Sequence, residues 1–481
     1  MIRSSSFGLS FGLRHRLPLS KGIAIGLALA AIPGSGICVH AQEPFAAQLS
    51  SIFSSSKSKK QSAERPADKD VPHPSIVIPT GPLGFASPAP FYLGDRFAQA
   101  SLNFLDEDKL LFTFRVPGLI PREPVAPGQP QQDQRHIRAL TLSLPTGKVT
   151  AEGLWVMHDY SRYLWMLKDQ KFLLRDKNTL LIGDASLRVE PFLRFPGPVS
   201  TIEFDPRQDW LVADTIEPPA PEQKDSSSAT PDLFSSSTAA ASMPVNGDMD
   251  LDLQKSKATP QDLVRIFRMD TRKVMLFSRV NTAIHLPIDG DGYYEALRGD
   301  GPHWMISFEY FQGASRPLGW VESTCNPALD AIAPGIVLAS GCTATGARHL
   351  TVLSRDRDKD HARLWETAFA STKIWPLLVT SADGLRLARA TLEVGHPIGP
   401  YNPLENSEIR GQSVQVYDLA TGKVELTVSA SPVLDAGGNF ALSPSGRRFA
   451  VLNAGAIQIY DLPPVPSVPP TPASDAAAAK H

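Results

Sequence analysis

The densest run of aromatic and titratable side chains in this sequence is Trp155-Val-Met-His-Asp-Tyr-Ser-Arg-Tyr-Leu-Trp165. It brings together an imidazole, a carboxylate, a guanidinium and phenols, and two readings of it stand. In one, His158, Asp159, Arg162 and Tyr163 lie on a rim where flat rings and hydrogen-bonding groups grip a sugar or a peptide. In the other, Trp155, Tyr163 and Trp165 pack between neighbouring sheets and His158-Asp159 is a polar turn. A second rim candidate, Gly395-His-Pro-Ile-Gly-Pro-Tyr-Asn402, would present His396 and Tyr401; the alternative is a proline-stiffened loop.

Two stretches space carboxylates as a cation site does. Asp289-Gly-Asp-Gly292 followed by Glu295 offers Asp289, Asp291 and Glu295 to Ca2+, because glycines let the backbone fold round an ion; the same residues also read as a plain glycine turn. Asp356-Arg-Asp-Lys-Asp360 is less suited. His361 stands where a calcium loop needs glycine, Glu366 falls one residue short of the closing ligand, and Arg355, Arg357 and Lys359 neutralise the acids, so a solvated turn is expected. Beyond Ca2+, no cofactor is expected.

Other chemistries lack their residues. Gly313-Ala-Ser-Arg-Pro317 is the nearest approach to a serine-hydrolase elbow, yet it lacks the second glycine and lies between predicted strands. Neither a His-Glu-x-x-His zinc motif nor a glycine-rich phosphate loop occurs.

The elements that must position these residues are repeats. Val414-Gln-Val-Tyr-Asp-Leu419, closed by Ala420-Thr-Gly-Lys-Val424, returns as Ile457-Gln-Ile-Tyr-Asp-Leu462. A strand recurring at roughly 40–45 residues marks propeller blades, small sheets that cannot bury a face alone. Each copy follows a strand, hairpin and strand: Phe440-Ala-Leu-Ser-Pro-Ser-Gly-Arg-Arg-Phe-Ala-Val-Leu452 and Leu378-Val-Thr-Ser-Ala-Asp-Gly-Leu-Arg-Leu-Ala388. Looser versions begin near Phe104, Leu167, Ile202, Tyr294 (turn at Arg298-Gly-Asp300) and Ala328, which makes seven units. The Thr-Gly-Lys-Val ending or a relic of it closes Ala139–Val149 and Val264–Val274 as well.

These residues resemble the WD40-like and quinoprotein-like propeller repeats, whose blades carry an Asp-x-x-Thr-Gly-Lys turn and a Ser-Pro-Asp-Gly hairpin. The resemblance spans most of residues 95–462 and is sharpest in the last two blades. It implies an all-β fold: a single β-propeller of seven four-stranded antiparallel blades. No Gly-His or Trp-Asp dipeptide marks the blades, and the tryptophan that follows the turn in quinoproteins appears once, as Trp155, so the likeness implies no quinone cofactor. The propeller is assigned to residues 84–462, interrupted by a disordered insertion at 217–260. The last blade is expected to borrow its outermost strand from around Tyr92 to Phe104. Such closure leaves no long exposed sheet edge, and a monomer is expected.

Residues 1–41 read as a signal peptide: Arg3, Arg14, Arg16 and Lys21 precede the apolar Ile23–Ile32, and Val39-His-Ala41 fits small-residue cleavage. The apolar run is too short to span a bilayer. A disordered tether at 42–83 and a Pro/Ala-rich tail at 463–481 flank the propeller. Cleavage would leave Cys325 and Cys342, a pair that reads as a disulfide in an oxidising compartment. With 47 basic and 49 acidic residues the chain has no broad field for nucleic acid or an anionic membrane.

Together these observations lead to a secreted or periplasmic, non-catalytic module that binds a protein or glycan through rim loops. The alternative is an enzyme on the propeller rim: a polysaccharide lyase, a glycosidase or a quinone-dependent dehydrogenase. Such an enzyme would need polar groups converging from the innermost strands.

Overall fold

The computed structural model describes residues 72–85, 100–116, 135–158, 162–217, 261–280, 284–343, 348–358, 361–369, 377–395, 408–434 and 438–465. They form seven four-stranded antiparallel sheets. In the first six blades chain order equals order from the innermost strand outwards. Blade 1 is β2 (Ala100–Asp106), β3 (Lys109–Arg115), β4 (Arg135–Ser143) and β5 (Lys148–Met157). Blade 2 is β6 (Leu164–Met166), β7 (Phe172–Asp176), β8 (Thr179–Gly183) and β9 (Val189–Arg194). Blade 3 is β10 (Val199–Phe204), β11 (Trp210–Glu217), β12 (Gln261–Arg268) and β13 (Val274–Val280). Blade 4 is β14 (Ile288–Asp289), β15 (Gly292–Arg298), β16 (His303–Tyr310) and β17 (Ser315–Glu322). Blade 5 is β18 (Ala328–Ala333), β19 (Ile336–Cys342), β20 (Arg348–Ser354) and β21 (Arg363–Phe369). Blade 6 is β22 (Leu377–Thr380), β23 (Arg386–Val394), β24 (Ile409–Asp418) and β25 (Val424–Ser429).

Blade 7 is composite. Its strands β26 (Phe440–Leu442), β27 (Arg448–Asn453) and β28 (Ala456–Asp461) take as their outermost member β1 (Ile76–Pro79), with Ile76 opposite Ile459 and Ile78 opposite Ile457. The closing strand therefore comes from the segment read as tether, and Tyr92–Phe104 does not supply it: β2 is the inner strand of blade 1. Four residues ending in proline are too short to stand out as a strand, but Pro79 lacks only a donor that an outer edge does not use. Ser75 and Thr80 fix the register by donating backbone N–H and hydroxyl bonds to the Ile459 and Gly455 carbonyls. At the other end, Pro463 also packs with the blades, its carbonyl accepting from buried Arg386.

The core lies between blades. Seven apolar clusters fill the seven junctions; the one closing the ring joins Leu102, Leu110, Phe112 and Leu140 of blade 1 to Ile78, Leu452 and Ile457 of blade 7. Each thin sheet thus obtains two buried faces from its neighbours. The repeated Thr-Gly-Lys turns put Gly147 and Gly422 at φ +69° and +71°. A Cβ on Gly422 would lie 2.6 Å from the Trp365 ring of blade 5, which itself stacks on Tyr417 at 5.8 Å.

Blade 4 departs from the sequence reading. Its inner hairpin turns at Asp289-Gly-Asp-Gly292, and Arg298-Gly-Asp300 joins its second and third strands. The short β14 and the Tyr293-Tyr294 start of β15 had shifted the apparent hairpin outward by one strand.

Candidate functional site

Because four antiparallel strands alternate in direction, connections between blades and those between second and third strands leave from one face. The long stretches 80–99, 116–134, 218–260 and 395–408 all leave there, whereas the opposite face carries short turns, the longest being 355–362. The longest connections of the chain thus belong to the first face.

Around the axis, the inner strands of blades 3, 4 and 5 bring three titratable groups together. The Glu203 carboxylate on β10 accepts from His285 Nδ1 at 2.6 Å and from the Leu286 backbone N–H at 3.1 Å. His285 Nε2 donates to the Leu329 carbonyl of β18 at 2.5 Å and lies 3.8 Å from the Asp330 carboxylate. Both ring nitrogens face oxygens that can only accept, so both carry protons and the ring is an imidazolium. Burial works against that charge, but the Glu203 hydrogen bond and charge, the Asp330 charge and the Leu329 carbonyl outweigh it, raising the His285 pKa to about 9. Burial raises the Asp330 carboxyl above its ordinary range, the imidazolium opposing the shift.

Next to this cluster Asp214, on β11 and buried, accepts from the Ile284 N–H at 3.3 Å. Burial first and the Asp262 charge second raise its pKa to about 6. Buried Arg175 of blade 2 donates to the Val199 and Ser200 carbonyls at the head of β10. Inner strands 3 to 5 are therefore joined by charge and by directed hydrogen bonds.

The expected rim at 158–163 is only partly assembled. His158 is held by Asp176, its Nδ1 2.9 Å from Oδ2, with its backbone N–H donating to Oδ1 at 2.9 Å. Tyr163 is turned inward, its hydroxyl 2.6 Å from Thr113 Oγ1 and burial raising its pKa to about 12. Trp155 packs on the Phe172 ring at 5.3 Å, and Trp165 is buried in the next junction. Arg162 is exposed as a residue, yet its guanidinium is held: Nε donates to the Leu164 carbonyl at 3.3 Å, the group lies 5.3 Å from the Trp165 ring, and burial lowers its pKa. Asp159, His396 and Tyr401 lie outside the described residues. The packing reading thus holds for the three aromatics, and Arg162 alone keeps the position a rim group needs.

Of the three residues offered to Ca2+, each has a different environment. Asp289 is buried and its carboxylate is taken by the Tyr294 hydroxyl at 2.7 Å, the Gly335 N–H at 2.8 Å and the Arg355 guanidinium at 3.5 Å, a bond set that staples blade 4 to blade 5. Asp291 is exposed, and Glu295 lies near Glu309 instead. Among the described residues no three His, Cys, Asp or Glu side chains are grouped to hold a metal ion. The disulfide is formed between Cys325 and Cys342, with Cα atoms 5.5 Å apart, and ties the entry to blade 5 to the end of β19.

A cleft of about 780 Å³ opens on the short-turn face where blades 6, 7 and 1 meet. Two of its arginines are committed to stitching that seam: Arg386 to Glu425, Gly446 and Pro463, and Arg448 to Glu107 and Asp108.

Glu203, His285 and Asp330 escaped the sequence reading because each comes from a different blade, and no spacing along the chain relates them. The legible signal was weak: each lies on or just before an inner strand ahead of a hairpin turn.

No family model matches the chain, and the search of curated proteins found no match. Among solved structures, a chain of the mitotic checkpoint complex is 11% identical over 86% of this chain and 99% of its own, with a TM-score of 0.39. Chaetomium thermophilum Sqt1, bound to the N-terminus of ribosomal protein L10, is 10% identical over 78% of this chain and 99% of its own, TM-score 0.37. Pyrococcus horikoshii acylaminoacyl peptidase is 10% identical over 76% of this chain and 52% of its own, TM-score 0.41. No helix among the described residues is long and apolar enough to cross a membrane. The architecture is a seven-bladed, all-β propeller closed by β1, the first strand among the described residues.

Proposed function

We propose that this protein is a non-catalytic binding propeller, exported from the cytoplasm, that engages a protein or glycan through the face from which its long connections leave. The observation that carries this reading is the state of the titratable groups at and beneath that face. His285 has both nitrogens engaged, His158 is held by Asp176, and the Tyr163 hydroxyl is paired with Thr113, whereas Arg162, tied by Nε to the Leu164 carbonyl, keeps exposed surface beside the Trp165 ring. Groups pinned to one another suit a rigid scaffold, and an arginine with exposed surface beside a ring suits recognition. The leader-like residues 1–41 and the Cys325–Cys342 disulfide support a secreted or periplasmic location.

Asp330 favours the enzymatic alternative, since its carboxyl is raised by burial and its side chain is 41% exposed. Glycan and peptide arrays probed with the purified protein separate the two. Saturable binding to one class is expected, with the bound molecule recovered unchanged and affinity lowered about tenfold or more by Arg162→Glu. Release of cleaved product, abolished by Asp330→Asn, would replace binding by catalysis.

A further inference from the structure

Buried polar atoms without partners are rare in folded proteins, yet one row of blade 3 holds several. Thr201 of β10 stands opposite Asp214 of β11, Asp214 opposite Val264 of β12, and Val264 opposite Ser278 of β13. Residues directly opposite one another project from the same face of a sheet. Val264 clusters with Leu286 and Ile288, so that face looks toward blade 4. Thr201 Oγ1, Asp214 Oδ1 and Ser278 Oγ are buried, and none has a hydrogen-bond partner. The hydroxyl of Ser200 is engaged elsewhere, with the Asp214 backbone carbonyl at 3.1 Å. Asp214 and Ser278 are only 1% and 5% exposed.

Asp262, two residues before Val264, lies on the same face and diagonal to Asp214. Its charge helps to raise the Asp214 pKa, and among the described residues neither carboxylate has an ion-pair partner. No third His, Cys, Asp or Glu among them joins the two to hold a metal ion. Two carboxylates without a cation, flanked by hydroxyls free to accept, form a surface for an organic cation. The row lies close to the face of the long connections. Asp214 is near the end of β11, half-buried Asp262 is near the start of β12, and Ile216 beside them is 42% exposed. The apolar cluster of this junction is also the smallest of the seven.

We propose that this row receives the guanidinium of an arginine on a protein partner, a choice that rests on the reading of the long-connection face as the binding face. Diagonal neighbours on adjacent strands lie about 7 Å apart, a gap that one planar cation spans. Thr201 beside Asp214 and Ser278 beside Asp262 extend the acceptors on either side. A guanidinium has five donors, no acceptor and a charge that survives desolvation; an ammonium has three donors and is more strongly hydrated. Without the arginine the Asp214 carboxylate is uncompensated and destabilises the fold, as groups kept for binding commonly do.

The test is fluorescence anisotropy with the purified full-length protein and short labelled Gly/Ser peptides that differ only in a central arginine, lysine or citrulline. Citrulline keeps the shape and removes the charge. Expected are saturable binding of the arginine peptide, weaker binding of the lysine peptide and about tenfold or greater loss for citrulline. Asp214→Asn and Asp262→Asn should each weaken the arginine peptide about tenfold or more. Asp291→Asn, which alters an exposed acid in the inner hairpin turn of blade 4 on the opposite face, should leave it unchanged. Asp262→Asn gives a reading even if Asp214→Asn fails to fold. No binding of the arginine peptide, equal binding of the lysine or citrulline peptide, equal loss on Asp291→Asn, or indifference to both Asp214→Asn and Asp262→Asn overturns the proposal. A partner found on the arrays whose affinity falls with Arg162→Glu but with neither of those two variants overturns this site and leaves the proposed function standing.

Discussion

The junction of blades 7 and 1 and the junctions of blades 3 to 5 solve the same geometric problem with opposite chemistry. At the first, β26 is entirely apolar and buried, and Phe85, Phe112 and Phe114 form a cluster with centroids 5.0 to 5.4 Å apart. Its charged groups sit at the short-turn end, where Arg448 of blade 7 pairs with the largely exposed Asp108 of blade 1 at 3.0 Å and the Ser445 N–H donates to Glu107 at 2.7 Å. At the second, Glu203, His285 and Asp330 link successive inner strands. The seam joins two segments from opposite ends of the chain that must find each other late. Apolar burial, being non-directional, tolerates that search. Blades 3 to 5 follow one another directly along the chain and can use directed bonds. The contrast implies that the far wall, whose charges lie on inner strands, answers to pH more strongly than the seam, whose ion pair is largely exposed.

The largest effect should come from breaking the seam. Ile78→Asp would bury a carboxylate among Leu110, Leu140 and Ile457 and remove the strand that completes blade 7, at a cost on the order of 4 kcal/mol or more. Urea unfolding followed by tryptophan fluorescence measures it. A midpoint close to wild type would mean that β1 adds nothing to closure.

On the far wall the disulfide comes next. Replacing Cys325 and Cys342 by serine removes a cross-link over a sequence separation of 17. In the chain-entropy picture that loses about 3 kcal/mol. Reduction of the wild type should give the same shift in urea midpoint. If reduction and substitution both leave the midpoint in place, the entry to blade 5 is held by the hydrogen bonds of Ser323 and Thr324 to the two positions without the cross-link.

How much of this was legible in the sequence follows from range. Thr-Gly-Lys at 146–148 and 421–423 is local chemistry, a turn that needs a positive φ, so it announced blades and their number. Cys325 and Cys342 announced each other as the pair left when Cys38 is set aside with the leader-like residues. Blade 4 misled because Asp289-Gly-Asp-Gly292 is at once a hairpin and a passable calcium loop, and the partners that decide between them, Gly335 and Arg355, belong to blade 5. The closing strand was missed for a similar reason: Ile76–Pro79 becomes a strand only because Ile457 and Ile459 wait for it. The channel cluster was invisible, since strand addition around a ring sets Glu203, His285 and Asp330 side by side without any fixed interval.

A smaller effect, of opposite sign, should appear at Asp214. Its raised pKa of about 6, caused by burial and then by Asp262, means that the folded state holds a proton the unfolded chain releases near pH 4. Stability is therefore lost as pH rises from about 4 to 6 and stays lower above it. Asp214→Asn keeps an acceptor for the Ile284 N–H without the charge and should gain on the order of 1–3 kcal/mol at neutral pH. The gain should vanish below pH 4. A variant that is less stable at neutral pH would show that the carboxylate charge is compensated, against the reading of this wall.

The smallest effect is also the sharpest discriminator between the two walls. His285 is pinned as an imidazolium with a pKa raised to about 9 against an ordinary 6.5, so its contribution is complete below about pH 6.5 and disappears as pH rises through 9. Its side chain is 49% exposed, which lets solvent and salt screen the pair and keeps the magnitude small. The wild-type urea midpoint should fall between pH 6.5 and 9, whereas that of His285→Gln should stay flat across the window. Glu203→Gln removes the carboxylate hydrogen bond and charge but leaves Asp330 and the Leu329 carbonyl, so the same fall should persist and move to lower pH. An Asn439→Ala variant, which loses neutral amide bonds to Gln412 and Pro432 at the junction of blades 6 and 7, should lower the midpoint equally at both ends of the range, because no proton is exchanged there. If the slope survived in His285→Gln, the pH dependence would belong to another group, and the contrast between an apolar seam with exposed charges and a wall with charges on its inner strands would lose its basis.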